Sequence, residues 1–163
     1  NASGETFYID HPSQKTYQTT TLKDGEVITD EESISNYPLP ELSSDTMTIL
    51  GYLCKKAHVV IRSNHIDIWY TAQTEFKGTP SVNIGPALGL VLKIVRNGNF
   101  EINAEDLVLS TKMITLPYSL GKIVELPYYR YLVTAQNYTT INIFQNEKQI
   151  VKNTAKKELN REL

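Results

Sequence analysis

The chain of 163 residues contains one cysteine, Cys54. A single thiol cannot build a disulfide framework or a cysteine-rich zinc site. No run of about 18 apolar residues occurs, so no segment has the length and character of a membrane-spanning helix. Charge of one sign is also missing: 18 Asp and Glu stand against 16 Lys and Arg, for a net charge of −2. The basic residues are scattered, so no stripe matches a phosphate backbone, and nucleic acid is not an expected partner. The chain has no Gly-x-Ser-x-Gly elbow, no His-Glu-x-x-His helix and no phosphate-binding loop. These absences lead to an expectation of no catalytic residue, no metal and no cofactor. The opening Asn1-Ala2-Ser3-Gly4 carries neither an initiator Met nor a signal peptide, and it reads as a processed or trimmed start.

What is present favours β structure. There are ten tyrosines and many threonines, and hydrophobic residues make up 40% of the chain. The length suits a single β-rich domain over 1–163. Residues 6–11 and 15–22 read as strands broken at His11-Pro12-Ser13, and Asp24-Gly25 is a tight turn into a strand at 26–29. Residues 30–45 are acidic and punctuated by Pro38 and Pro40. They read as a surface loop with room for a helical turn at 31–36, or alternatively as a lid over a cavity mouth.

The clearest pattern lies between 46 and 71. A turn at Ser63-Asn64 places Ala57, Val59, Ile61, Ile66, Ile68 and Tyr70 on one face. His58, Val60, Arg62, His65, Asp67 and Trp69 then share the other. The apolar set fixes which face is buried. After a loop over 72–86, residues 88–95 form an apolar strand, and Asn97-Gly98 turns the chain into 100–102. Further strands are expected at 107–115, 122–126, 129–135 and 138–144. Leu116-Pro117-Tyr118 recurs as Leu126-Pro127-Tyr128, with proline at strand ends or edges. From 145 to 163, Val151, Ala155, Leu159 and Leu163 recur every four residues, the stripe of a short amphipathic helix. The expected fold is mainly β: a single curved antiparallel sheet or half-open barrel with a short C-terminal helix.

Gly51-Tyr52, Cys54, Lys56-Ala57, Trp69-Tyr70-Thr71 and the strand 85–94 together resemble the GLPGLI family, as a divergent member. The namesake motif falls on Pro86 to Leu92, ending Gly89-Leu90-Val91-Leu92. The resemblance covers roughly residues 15–115. It implies an exported protein, periplasmic or associated with the outer membrane, with a β-rich fold and no established activity.

Among chemical candidates, Cys54 and His58 share a strand but lie about 13 Å apart at 3.3 Å per residue. A cysteine nucleophile therefore has no local base, and a buried thiol is the plainer reading. His65 and Asp67 have a spacing that can serve a metal on a strand, but Arg62 on the same face opposes a cation. The leading expectation is an envelope protein without enzymatic activity that binds lipid or an extended peptide on the curved sheet. Trp69, Tyr70, Leu88, Leu90, Leu92, Tyr128 and Tyr131 are its candidate contacts. The alternatives are an interaction module of an envelope assembly, with an exposed edge near 116–131, and a hydrolase.

Overall fold

The computed structural model describes residues 4–81 and 83–145. In chain order these form β1 (Thr6–Asp10), β2 (Lys15–Thr21), β3 (Val27–Ser33), a 3-10 turn (Ile34–Asn36), β4 (Glu41–Ile49), β5 (Tyr52–Ile61), β6 (Asn64–Thr71), β7 (Leu90–Arg96), β8 (Phe100–Asn103), β9 (Lys122–Ile123) and α1 (Leu126–Gln145). The fold is mainly β with one helix toward the C-terminal end, as expected. The strands divide between two sheets, ordered β1-β2-β3-β9 and β4-β5-β6-β7-β8. No helix among the described residues is long and apolar enough to cross a membrane. Contacts group the chain into two compact units, one of residues 1–8, 17–31 and 116–163, the other of 9–16 and 32–115.

In the second unit, the five-stranded sheet is an antiparallel meander. Its central hairpin turns at Arg62 and Ser63, both with positive φ (48° and 65°), as a two-residue primed turn requires. Asn64 supports the turn by donating its side-chain amide to the Ile61 and Arg62 carbonyls. Ile61 therefore pairs with Asn64, Val59 with Ile66 and Ala57 with Ile68. This register lies two residues from the expected one. An even slip leaves every side chain on its face, so the apolar face survives the error while Arg62 moves out of the strand into the turn.

Ala57, Val59, Ile66, Ile68, Val91 and Ile94 form the buried core of this unit, with Ile61, Tyr70, Ile84, Leu88 and Ile102 packed around it. Full burial of one such large side chain contributes about 1.5–3 kcal/mol. Between β6 and β7, Trp69 pairs with Lys93 but Tyr70 pairs with Val91, so Leu92 is an extra residue in a bulge. Beside it, Gly89 has φ +83° and a Cβ there would lie 2.8 Å from the Thr71 carbonyl oxygen, so the loop needs glycine at this position. Asn97 and Gly98 turn β7 into β8, as expected, both with positive φ.

Two expectations fail in this unit. Most of the acidic stretch 30–45 is strand and turn where a loop or lid was expected: it ends β3, forms the 3-10 turn, which falls within the helical turn expected at 31–36, and starts β4, leaving only 37–40 as a loop and no length for a lid. Residues 107–115 form no strand, and Val108 and Met113 are 80% and 87% exposed. Apolar content alone cannot make a strand where no neighbouring backbone takes up its hydrogen bonds.

In the first unit, Ile28, Val124 and Tyr129 form a buried cluster with Leu22, Leu132 and Val133 packed against it. β9 runs parallel to β3, pairing Ile28 with Lys122 and Thr29 with Ile123. The strands expected at 129–135 and 138–144 are instead the single helix α1. Tyr129, Leu132 and Val133 lie at helical spacing on the side that packs against Ile28, and that burial overrides the β preference of Tyr, Val and Thr. Pro127 lies in the first turn, where its missing N–H costs nothing, and the Tyr129 N–H closes the first helical bond to Glu125. The helical stripe expected over 145–163 lies outside the described residues beyond Gln145.

Candidate functional site

The outward face of the five-stranded sheet carries a largely polar surface, built by register. One row runs Lys56, Trp69, Lys93, Asn103 across β5 to β8. The neighbouring row runs Glu41, His58, Asp67, Val95, Glu101 across all five strands. Alternation along each strand puts these side chains opposite the apolar core.

The groups are tied to one another. His58 Nδ1 lies 2.8 Å from Asp67 Oδ1, and Lys56 Nζ lies 3.8 Å from Asp67 Oδ2 and 3.4 Å from Asp45 Oδ2. The Lys56 ammonium stands 5.9 Å from the centre of the Trp69 ring, within cation–π range. His65 Nδ1 is 3.4 Å from His58 Nε2, with the two rings stacked at 29°. At the other end of the face, Lys93 Nζ is 3.5 Å from Glu101 Oε2, and Asn103 donates to the same oxygen. The Asn103 amide, and after it the Lys93 charge, hold the Glu101 carboxyl below its usual range. The face therefore offers a flat aromatic ring between two ammonium groups, with carboxylates and an amide alongside. That composition suits a ligand rich in hydroxyls, which needs both donors and acceptors and gains from a ring to lie on.

Other candidates are placed elsewhere. Cys54 is fully buried, its thiol pushed up by burial and close to the Tyr52 carbonyl, so it is no nucleophile in the folded state. Trp69 and Tyr70 point to opposite faces as consecutive strand residues, Trp69 to the polar side and Tyr70 to the core with Leu88. Leu90 is half-buried at the start of β7, and Leu92 is buried at 3% exposure. Tyr128 and Tyr131 belong to the other unit, exposed on α1 with rings stacked 6.3 Å apart. The structure thus brings Tyr70 and Leu88 together around a core and does not gather the seven residues on one surface. Among the described residues, no group of three or more His, Cys, Asp or Glu is arranged to hold a metal.

Sequence reasoning missed Lys56, Lys93, Glu101 and Asn103 as parts of this face. Their alternation was readable within each strand, but their alignment needed the bulge at Leu92. It also missed the first unit's partly buried polar cluster, in which Tyr129 and Gln18 both donate to Glu5 Oε1.

Comparison with known proteins assigns the family. Residues 1–119 match the family described as N-glycanase peptide, N-terminal domain. Two solved structures of PNGF-II are similar over 81% of this chain: one in space group C2 at 28% identity and TM-score 0.61, the other in P21 at 31% identity and TM-score 0.66. The chain spans 25% of the length of either. No curated protein matches it.

These findings overturn the GLPGLI resemblance. Its motif residues are explained by local geometry common to β meanders: Gly51, Gly85 and Gly89 take positive φ at turns, and Trp69-Tyr70-Thr71 is an ordinary strand end. The expectations of a lipid or peptide binder, of an assembly module and of a protein without enzymatic activity fall with it, because the matching family is described as the N-terminal domain of an N-glycanase. The chain belongs to the family of N-glycanase N-terminal domains.

Proposed function

We propose that this chain serves the removal of N-linked glycans as the N-terminal domain of a glycan-cleaving hydrolase, and that the polar face of its five-stranded sheet meets the carbohydrate. The family match over residues 1–119 is the observation that carries the reading. The chemistry of the face supports its second half. The Trp69 ring offers an apolar platform, while Lys56, Lys93, Asp67, Glu101 and Asn103 supply the donors and acceptors that sugar hydroxyls demand.

The test uses the protein in its native full length and a glycoprotein carrying N-linked glycans, with intact mass as the readout. Wild-type protein is expected to remove the glycan mass. Trp69→Ala is expected to raise KM about tenfold, roughly 1.4 kcal/mol of lost binding, with kcat unchanged. A folded wild-type protein that leaves every glycan in place overturns the hydrolase reading. Full activity with an unchanged KM in Trp69→Ala overturns the role of the face alone.

A further inference from the structure

We propose that His58 and His65 form an open two-histidine site for a divalent transition metal such as Cu2+ or Zn2+, with Asp67 holding His58 in place from behind. The inference stands on the sheet's own geometry and does not depend on the glycan reading.

Three observations converge. The first is the separation of the two inward nitrogens, His58 Nε2 and His65 Nδ1, at 3.4 Å. That is long for an N–H···N hydrogen bond. It matches the edge spanned by two nitrogen ligands of a tetrahedral metal, about 3.3–3.4 Å for bonds of about 2.0–2.1 Å. The 5.5 Å between the ring centres also agrees, since two imidazoles on one tetrahedral metal have centres roughly 5 Å apart.

The second is the carboxylate. Asp67 Oδ1 accepts from His58 Nδ1 at 2.8 Å, which leaves the lone pair on Nε2 aimed at His65. A carboxylate behind a ligating histidine fixes the tautomer and raises the basicity of the outer nitrogen.

The third is charge and rigidity. Sequence spacing placed Arg62 opposite His65, where its charge would repel a metal. The observed register puts Arg62 in the hairpin turn instead. A near cation, Lys56, is shared between Asp45 and Asp67, and Glu41 stands opposite His58 in register. Both histidines sit on strands paired on both sides within the sheet, so the ligands are held in place before the metal arrives. The His58 side chain remains 35% exposed, leaving the other coordination positions to water or an incoming ligand.

The chain carries its own probe. Trp69 is its one tryptophan. It lies two residues beyond Asp67 on the same face of β6, about 7 Å along the strand, and Cu2+ nearby quenches indole fluorescence. Titration of the chain with Cu2+ is expected to give saturable quenching in the micromolar range, competed by Zn2+. His58→Gln and His65→Gln are each expected to weaken binding at least tenfold. Asp67→Asn should weaken it about 10- to 100-fold, and His11→Gln, the control for the third histidine, should leave it unchanged. In the wild-type chain, Zn2+ should shift the ring proton resonances of His58 and His65 together, a readout that needs no variant to fold. The absence of saturable quenching up to about 100 µM metal, or equal binding by the wild type and both His58 and His65 variants, overturns the proposal. So do unmoved His58 and His65 resonances.

Discussion

The Tyr129 hydroxyl donates to Glu5 Oε1 at 3.0 Å, across a separation of 124 residues in the chain. Gln18 donates to the same oxygen at 3.0 Å. Tyr129 is 1% exposed and is the largest fully buried side chain among the described residues. Burial, then the Glu5 carboxylate and the nearby Asp30, push its ionisation well above that of an ordinary tyrosine. Removing the hydroxyl in Tyr129→Phe is expected to cost about 1.5–3 kcal/mol, the range for a hydrogen bond to a charged group, measured by urea unfolding. The pH dependence has a definite sign. Above about pH 10 the unfolded chain releases this proton while the folded protein keeps it, so stability falls as pH rises. Tyr129→Phe should flatten that alkaline fall, and an unchanged slope would show that Tyr129 does not cause it.

Cys54 makes the opposite kind of statement, because it is inert where a reactive thiol would be conspicuous. It is fully buried, and burial raises its ionisation above the usual thiol range. A disulfide reagent is therefore expected to label the native protein only as fast as the sheet opens, and to label it at once in denaturant. Rapid stoichiometric labelling under native conditions contradicts that burial. Cys54→Ser should leave any glycan-releasing activity intact, since the thiol is fully buried and no ligand on the sheet surface touches it.

The two copies of Leu-Pro-Tyr show what was legible in the sequence and what was not. Leu116-Pro117-Tyr118 lies in irregular chain, and Tyr118 is fully exposed. Leu126-Pro127-Tyr128 opens a 20-residue helix. The local sequence is the same in both. What differs is the next five residues, where Tyr129, Leu132 and Val133 find Ile28 to cover. The faces of β5 and β6 were legible because a two-residue period forgives an even slip. The turn itself was not, because Arg62 and Ser63 accept positive φ against their preference when both flanking strands are paired. His58, His65, Asp67 and Trp69 could be placed on one face from sequence. Their neighbours Lys93 and Glu101 come from strands whose alignment depends on the bulge at Leu92, which no local pattern announces.

Gly121 is the glycine least able to accept a side chain. It has φ +65°, and a Cβ there would run into the Val27 carbonyl and side chain. The next residues are β9, whose pairing with β3 joins Val124 to the buried cluster around Ile28. Gly121→Ala is expected to destabilise the protein by roughly 2–4 kcal/mol, from the positive φ together with the backbone shift. Chemical denaturation checks the magnitude. Hydrogen exchange should show that protection is lost first at Thr29 and Val124, whose backbones are bonded to each other.

His11 contributes to the loss of stability on the acid side. Its Nε2 is buried with no hydrogen-bond partner, and burial, then the Lys77 charge, lower the ring's proton affinity, against a smaller opposing pull from Asp10. The folded protein therefore takes up this proton at lower pH than the unfolded chain, which titrates near 6.5. The stabilisation is fully present above about pH 6.5 and is lost as pH falls through the folded value, because only the unfolded state gains the proton in between. Wild-type protein should lose more stability between pH 7.5 and pH 5 than His11→Gln, which keeps a polar side chain but cannot titrate. His58 and His65 are present in both proteins, so their contribution cancels in the difference. Urea midpoints at the two pH values supply the comparison. Parallel losses in the two proteins would place the acid sensitivity outside His11.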